Sequence, residues 1–265
     1  GYKTGYVMSI DATASGLQIM SALSGCKDTA RVCNMLNTGT REDVYQMIAD
    51  KMNILLNGKY GVNRGDVKKP CMTHFYNSLA TPERMFNKEQ LKAFYSTLDG
   101  LMPGAMEVMD AINEYWDYDN DVHQWSLPDG HVARVPVTEM SDVRIEVDEL
   151  DHRTFTYRYN KQQPSDNYRS LVANIVHSVD GYVAREMVRK CHDMGIELVH
   201  IHDCFVFSPD YLQAVSQTYR EVLADIADSD LLSDILSEIS GGHVEVVKLS
   251  TNLSKDILNS EYMLS

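Results

Sequence analysis

Apolar positions recur along this chain with two different periods, and the change of period marks out the elements. Residues 5–10 read as a short apolar strand that delivers Asp11 at its end. The run Thr40-Arg41-Glu42-Asp43 predicts a helix start, with Thr40 as cap and Asp43 standing in for the usual glutamate three residues on. Val44, Tyr45, Ile48, Met52 and Leu55 then follow at helical spacing. A second helix is expected over 64–80, kinked by Pro70, and two more over 89–98 and 105–116. Asp129-Gly130 between Trp125-Ser126-Leu127 and Val132-Ala133-Arg134-Val135 signals a hairpin. Alternation over 144–159 predicts strands. Residues 170–191 form a long amphipathic pattern, softly interrupted near Gly181. After Gly195, two short apolar runs flank His202-Asp203-Cys204, which predicts a strand–turn–strand with an acid at its tip. A helix over 212–226 and a strand over 244–249 complete the reading. The class is α/β mixed (α+β), with helices around an antiparallel sheet that carries acids at its edge.

Composition adjusts this picture in three ways. The chain has 265 residues, enough for one large domain or two lobes, and no apolar run approaches the ~18–20 residues of a membrane span, so no membrane partner is expected. The sequence from Gly1 has no basic region followed by a long apolar stretch, which argues against a signal peptide and for a cytoplasmic location. The cysteines, Cys26, Cys33, Cys71, Cys191 and Cys204, show no CxxC pairing and fit reduced thiols. The formal net charge of −14 would repel a polyanion, but it is unevenly spread. Residues 217–245 carry Glu221, Asp225, Asp228, Asp230, Asp234, Glu238 and Glu245 against Arg220 alone, apart from the titratable His243. Residues 59–69 carry Lys59, Arg64, Lys68 and Lys69 against Asp66 alone, a stretch suited to holding phosphates.

Asp11 and Asp203 each follow an apolar strand at a sharp break. Either could be an ordinary turn residue. Brought together, the two carboxylates could hold two Mg²⁺ ions, which lower the pKa of an attacking hydroxyl and stabilise charge on a transferring phosphoryl group. The surrounding residues decide between these readings. Asp11-Ala12-Thr13-Ala14-Ser15-Gly16-Leu17-Gln18 resembles the first motif of the single-subunit phage and mitochondrial DNA-directed RNA polymerases. Arg64-x3-Lys68-x7-Tyr76 resembles their second motif, and Ile201-His202-Asp203-Cys204-Phe205 the third. His177-Ser178-Val179-Asp180-Gly181 resembles their His-Ser-x-Asp-Gly segment. The four occur in the family's order, and the likeness covers most of the chain apart from 81–121 and 138–166.

The resemblance implies a right-hand polymerase with a palm over 1–26 and 167–265 and fingers over 27–166. It implies a template-directed ribonucleotidyl transfer in which Asp11, Asp203 and the backbone carbonyl of Ala12 hold two Mg²⁺ ions. Arg64 and Lys68, one helical turn apart, would grip the triphosphate, with Lys68 also in the catalytic set. Met72 and Tyr76 continue that stripe, and Tyr76 with His177 would read the ribose 2′-hydroxyl. The family usually has glycine where Asn77 stands and serine at Cys204, and Lys69-Pro70 is unusual for a helix that moves. The family's upstream regions and its Asp-x-x-Gly-Arg motif are missing. The chain therefore resembles the smaller subunit of a split, two-chain phage polymerase, working in the cytoplasm of an infected host. Its expected partners are a larger subunit carrying the N-terminal region and thumb, template DNA, the RNA product and ribonucleoside triphosphates. The larger subunit could carry much of the positive channel that this acidic chain lacks. Two rival readings are a related DNA polymerase, against which Ser15-Gly16-Leu17-Gln18 offers no acid to block a 2′-hydroxyl, and a non-catalytic scaffold.

Overall fold

The computed structural model describes residues 5–117, 119–137, 139–161 and 170–265; the boundary expected at 166/167 lies outside them. The chain opens with β1 (Met8–Asp11), α1 (Ser15–Ser24), α2 (Lys27–Val32) and α3 (Val44–Leu55). Four helices follow: α4 (Arg64–His74), α5 (Ala80–Met85), α6 (Lys88–Leu101) and α7 (Pro103–Asn113). Two hairpins come next, β2 (Val122–Ser126) with β3 (Val132–Pro136), and β4 (Glu139–Val147) with β5 (Arg153–Lys161). The chain then runs through α8 (Ser170–Asp193), β6 (Val199–Ile201), β7 (Cys204–Phe207), α9 (Leu212–Asp228), α10 (Leu231–Ser240) and α11 (Leu253–Ile257). No helix among the described residues is long and apolar enough to cross a membrane.

The organising unit is a three-stranded antiparallel sheet in the order β1-β7-β6. Its register sets Ile10 opposite Phe205 and Asp11 opposite Cys204. Period-2 alternation turns Phe205 and Phe207 inward, and the Phe205 ring meets that of Tyr219 on α9. α1 is buried along Leu17–Ser24, as an all-round interior helix must be, and packs against α7, α8 and α9. The approach of α7 is close enough to require Gly104, because a β-carbon there would lie 2.1 Å from that of Cys26. α3, α4 and α6 form an adjoining layer. The β2–β3 hairpin packs on α8 and α10 through Trp125, whose buried indole N–H donates to Ser178 Oγ at 3.0 Å. The β4–β5 hairpin stands apart, with Phe155 and Tyr157 exposed.

Several local expectations need correction, each for a physical reason. Strand β1 begins at Met8, so residues 5–7 are not part of it. The cap of α3 is Asp43 and not Thr40: the Asp43 carboxylate accepts from the amides of Tyr45 and Gln46 at 3.1 and 3.2 Å. α4 does not run to 80. It ends at His74, and the chain turns through Asn77 in the left-handed region (φ 63°) before α5 starts a new helix. Pro70 sits inside α4 without ending it. Gly181 does not interrupt α8, since buried neighbours such as Val179 and Val183 hold the helix across the ~1 kcal/mol glycine penalty. Residues 244–249 form no strand, because their amides bond to helices: Val244 to Ser237 Oγ, Val246 to Ser233 Oγ, and Leu249 to the Ser24 carbonyl. The acidic stretch conceals α10, whose Leu231, Leu232, Ile235, Leu236 and Ile239 are buried.

His74, near the end of α4, gives the fold a pH dependence. Its ring is buried among Phe75, Phe94 and Tyr95, and burial pushes its pKa down to about 4, against a smaller opposing pull from Asp99. The unfolded histidine, near 6.5, binds the proton more readily, so stability falls as pH drops through 6.5 towards 4. Urea unfolding at pH 7 and pH 4 should show a His74 contribution to the loss of roughly 2–3 kcal/mol. The variant His74→Phe should lose correspondingly less; an identical loss in both proteins would refute this assignment.

Candidate active site

A cavity of about 560 Å³ opens beside the end of β1. It is lined by residues spread across the sequence, from Asp11, Ala12 and Gly16 through Arg64, Lys68, Met72 and Tyr76 to His177 and Asp203. The eight positions singled out from the sequence (Asp11, Ala12, Arg64, Lys68, Met72, Tyr76, His177 and Asp203) therefore meet in one place.

The acids are placed by backbone. Asp203 occupies a two-residue turn between β6 and β7, made possible by His202 in the left-handed region (φ 55°). That turn returns Asp203 beside β1, where its carbonyl accepts the Ala12 amide at 3.1 Å. Asp11 is fixed from the other side: its amide and carbonyl both bond to Ser265, at 3.2 and 2.9 Å, and Thr13 donates to the Met263 carbonyl. The Ala12 carbonyl accepts no hydrogen bond among the described residues. Two carboxylates and an unsatisfied carbonyl are an all-oxygen donor set, the chemistry that suits a hard divalent cation such as Mg²⁺. A different group, Glu146, Asp148 and His152, brings ligand atoms within 4.8 Å of one another at the tip of the β4–β5 hairpin, but all three are exposed and none lines the cavity.

The opposite side is cationic. Arg64 and Lys68 lie one turn apart on α4, both close to the ring of Tyr45, at 5.4 and 5.9 Å from its centroid. Arg64 Nε is also bonded to the Asp43 carboxylate at 2.6 Å, which holds that carboxyl below the usual range against the opposing effect of burial. Lys68 has no carboxylate within 4.0 Å among the described residues. The rest of the basic stretch points elsewhere: Lys59 pairs with Glu89, and Lys69 does not line the cavity.

Tyr76 is not on the α4 stripe as expected but in the turn beyond it, where it still reaches the cavity. Its ring meets His177 at 4.6 Å, and its hydroxyl lies so near α1 that a β-carbon on Gly16 would sit 3.3 Å away. Asn77 adopts the left-handed conformation that glycine takes most easily, anchored by a 2.7 Å bond from its amide to Asn113. Burial, then the charges of Asp180 and Asp203, raise the Tyr76 pKa. Burial lowers that of His177, with a smaller contribution from His202.

Arg41, Tyr45, Asp180 and His202 also line the cavity and were not among the site residues expected from the sequence. Asp180 lies one helical turn after His177 and faces the same cavity. Burial first, and the Asp203 charge second, push its pKa up to about 6. Its i, i+3 spacing from His177 was a usable signal. Arg41 and Tyr45 had been absorbed into a helix start and a helix core.

Three comparisons bear on this geometry. A family model of DNA-dependent RNA polymerase matches residues 1–129 and 124–262. A DNA-directed RNA polymerase of Pseudomonas phage phiKMV is 25% identical over 250 residues, an alignment covering 77% of this chain and 30% of the relative. The POL domain of Pol1 from M. smegmatis, solved as a complex with DNA primer-template and dNTP, is similar at a TM-score of 0.51 and 16% identity, covering 87% of this chain and 38% of that one. The last is a likeness of fold. The chain thus spans about a third of the length of the proteins it matches.

Proposed function

The chain belongs to the DNA-dependent RNA polymerase family, and on that premise we propose that it carries the nucleotidyl-transfer centre of a DNA-directed RNA polymerase. The reading rests on one observation: two strand-end carboxylates, two α4 cations and a tyrosine–histidine pair line a single cavity. In this proposal the sheet with α8 and α9 forms a palm (1–26 and 167–265) and α3–α7 with the hairpins form fingers (27–166).

Asp11, Asp203 and the Ala12 carbonyl would hold two Mg²⁺ ions. When bound, these ions lower the pKa of the attacking hydroxyl and stabilise negative charge on the α-phosphate. The chain's own residues do the rest. Arg64 and Lys68 bind the triphosphate, with Tyr45 as the surface against which their side chains lie. The RNA 3′-hydroxyl gives up its proton to solvent water, and its oxygen bonds to the α-phosphorus. The bond to the bridging oxygen breaks, and pyrophosphate leaves with that electron pair. A cation at Lys68 stabilises charge as it develops on the leaving group. The Tyr76 hydroxyl, backed by His177, accepts or donates a hydrogen bond at the ribose 2′-hydroxyl.

The proposal also includes a larger subunit that supplies an N-terminal region and a thumb, working with template DNA and RNA in the cytoplasm of an infected host. The test is Mg²⁺-dependent ribonucleotide incorporation on a single-stranded template, by this chain alone and mixed with candidate larger subunits. Activity confined to a mixture supports the split arrangement, and full-rate elongation by the chain alone overturns it. Absence of activity in every correctly assembled mixture favours a scaffold. Sugar choice separates the RNA and DNA polymerase readings. Wild type should prefer ribonucleotides, and Tyr76→Phe should lower the ribo-to-deoxy ratio of kcat/KM by roughly tenfold or more, since the site loses the group that hydrogen-bonds the hydroxyl. An unchanged ratio would remove Tyr76 from this role.

A further inference from the structure

We propose that Arg41 is a further phosphate ligand of this site, and that a smaller cavity beside it receives the pyrophosphate end of the nucleotide. The inference rests on the polymerase reading and goes beyond the motifs that support it. A second cavity, of about 310 Å³, adjoins the first and shares Thr13, Ala14, Arg41, Tyr45 and Arg64 with it. Arg41 therefore stands on the wall between the space lined by the acids and a side space.

Its position is built. Asn34, buried and left-handed (φ 66°), accepts the Glu42 amide at 2.7 Å and donates to the Glu42 carbonyl at 3.0 Å. The same Asn34 amide reaches Thr13 Oγ1 at 3.3 Å, two residues from Asp11. The backbone that presents Arg41 is thus tied to the segment that presents the first acid. Arg41 itself has no carboxylate within 4.0 Å among the described residues, although acids outnumber Lys and Arg by 38 to 24. Of the two acids lining the side cavity, Asp43 is engaged by Arg64 and by the first amides of α3. Glu42 accepts a hydrogen bond from Thr38 Oγ1 at 3.4 Å. An unpaired guanidinium in an acidic protein suits a polyanion, and its planar donors match phosphate oxygens in pairs. α4 supplies cations from one element, and Arg41 supplies one from the loop before α3. The side cavity lies between them, since Arg41 and Arg64 both line it.

The experiment measures both directions of the reaction in the assembled polymerase: incorporation, for the KM of ribonucleoside triphosphate, and pyrophosphorolysis, for the KM of pyrophosphate. Arg41 is exposed on a loop, so Arg41→Gln should unfold at the wild-type temperature. The expected result is at least a tenfold rise in the KM for pyrophosphate with a smaller change in kcat, partly restored in Arg41→Lys. Values within twofold of wild type in both directions overturn the proposal while leaving the polymerase reading intact. An equilibrium titration of the full chain with inorganic pyrophosphate and Mg²⁺ adds a readout independent of turnover. Wild-type binding that weakens tenfold or more in Arg41→Gln supports the site even in a protein that does not polymerise. No difference between the two proteins overturns it.

Discussion

Asp203→Asn should abolish ribonucleotide incorporation by the assembled polymerase, at least about a thousandfold, and leave thermal unfolding unchanged. The two halves of this expectation come from different atoms of one residue. The backbone of Asp203 is structural: it completes the β6–β7 turn, and its carbonyl accepts the Ala12 amide. The carboxylate has no hydrogen bond or ion pair among the described residues and faces the cavity. Asparagine keeps the shape and the backbone bond and removes only the charge, so the loss belongs to cation binding rather than to folding. Asp11→Asn should lose activity to a similar degree. Its carboxylate also interacts with the Cys204 thiol across the strand pair, which raises the thiol's pKa, so this variant should bring that pKa back down. Retention of more than about a tenth of wild-type turnover in Asp203→Asn would falsify the catalytic assignment and favour a scaffold.

The acids were legible through the motifs around them, since the local pattern alone fits ordinary turn residues equally well. An apolar strand ending in Asp11, and a His-Asp turn between two apolar runs, are local signals that the sheet register merely joins. The cations Arg64 and Lys68 were legible for the same reason, as part of the Arg64-x3-Lys68-x7-Tyr76 motif, since two cations one turn apart are by themselves more often a solvated face. What was not legible depends on contacts between distant segments. The choice of Asp43 over Thr40 as cap follows from which side chain reaches the α3 amides. Residues 244–249 look like a strand, but their amides are claimed by Ser237, Ser233 and Ser24 before any strand can pair with them. α10 was hidden because its acids dominate the composition while its buried face does not. Arg41 has no motif at all, and only the placement of its loop by Asn34 brings it to the cavity.

The same dependence on distant contacts predicts a large effect at a residue that never touches the cavity. Gln18 is fully buried on α1 and bonds to four places far apart in sequence. Its amide nitrogen lies 3.1 Å from Thr13 Oγ1, 3.0 Å from the Cys33 carbonyl and 3.1 Å from the Met263 carbonyl. Its oxygen accepts from the buried Tyr219 hydroxyl at 2.7 Å. Gln18→Leu fills nearly the same volume but strands the Tyr219 hydroxyl and removes one donor each from Thr13 Oγ1 and the Cys33 and Met263 carbonyls, which keep Thr13 as a partner. A stranded hydroxyl costs about 1–3 kcal/mol and each ordinary bond lost about 0.5–1.5, so a total of about 3 kcal/mol is expected from the urea midpoint. Tyr219→Phe removes that hydroxyl but strands the buried Gln18 amide oxygen, and should cost about 1–3 kcal/mol. In the double variant the Tyr219 change should cost less than it does alone, because the hydroxyl has already lost its acceptor. Function should follow stability in a specific way. Thr13 and Met263 bond to each other beside Asp11, so losing Gln18 loosens the support of the first acid without touching Arg64 or Lys68. Below the unfolding transition, kcat should fall while the KM for nucleotide stays within about twofold. A Gln18→Leu protein with wild-type kcat and a stability loss under about 0.5 kcal/mol would show that this network neither holds the fold nor positions Asp11.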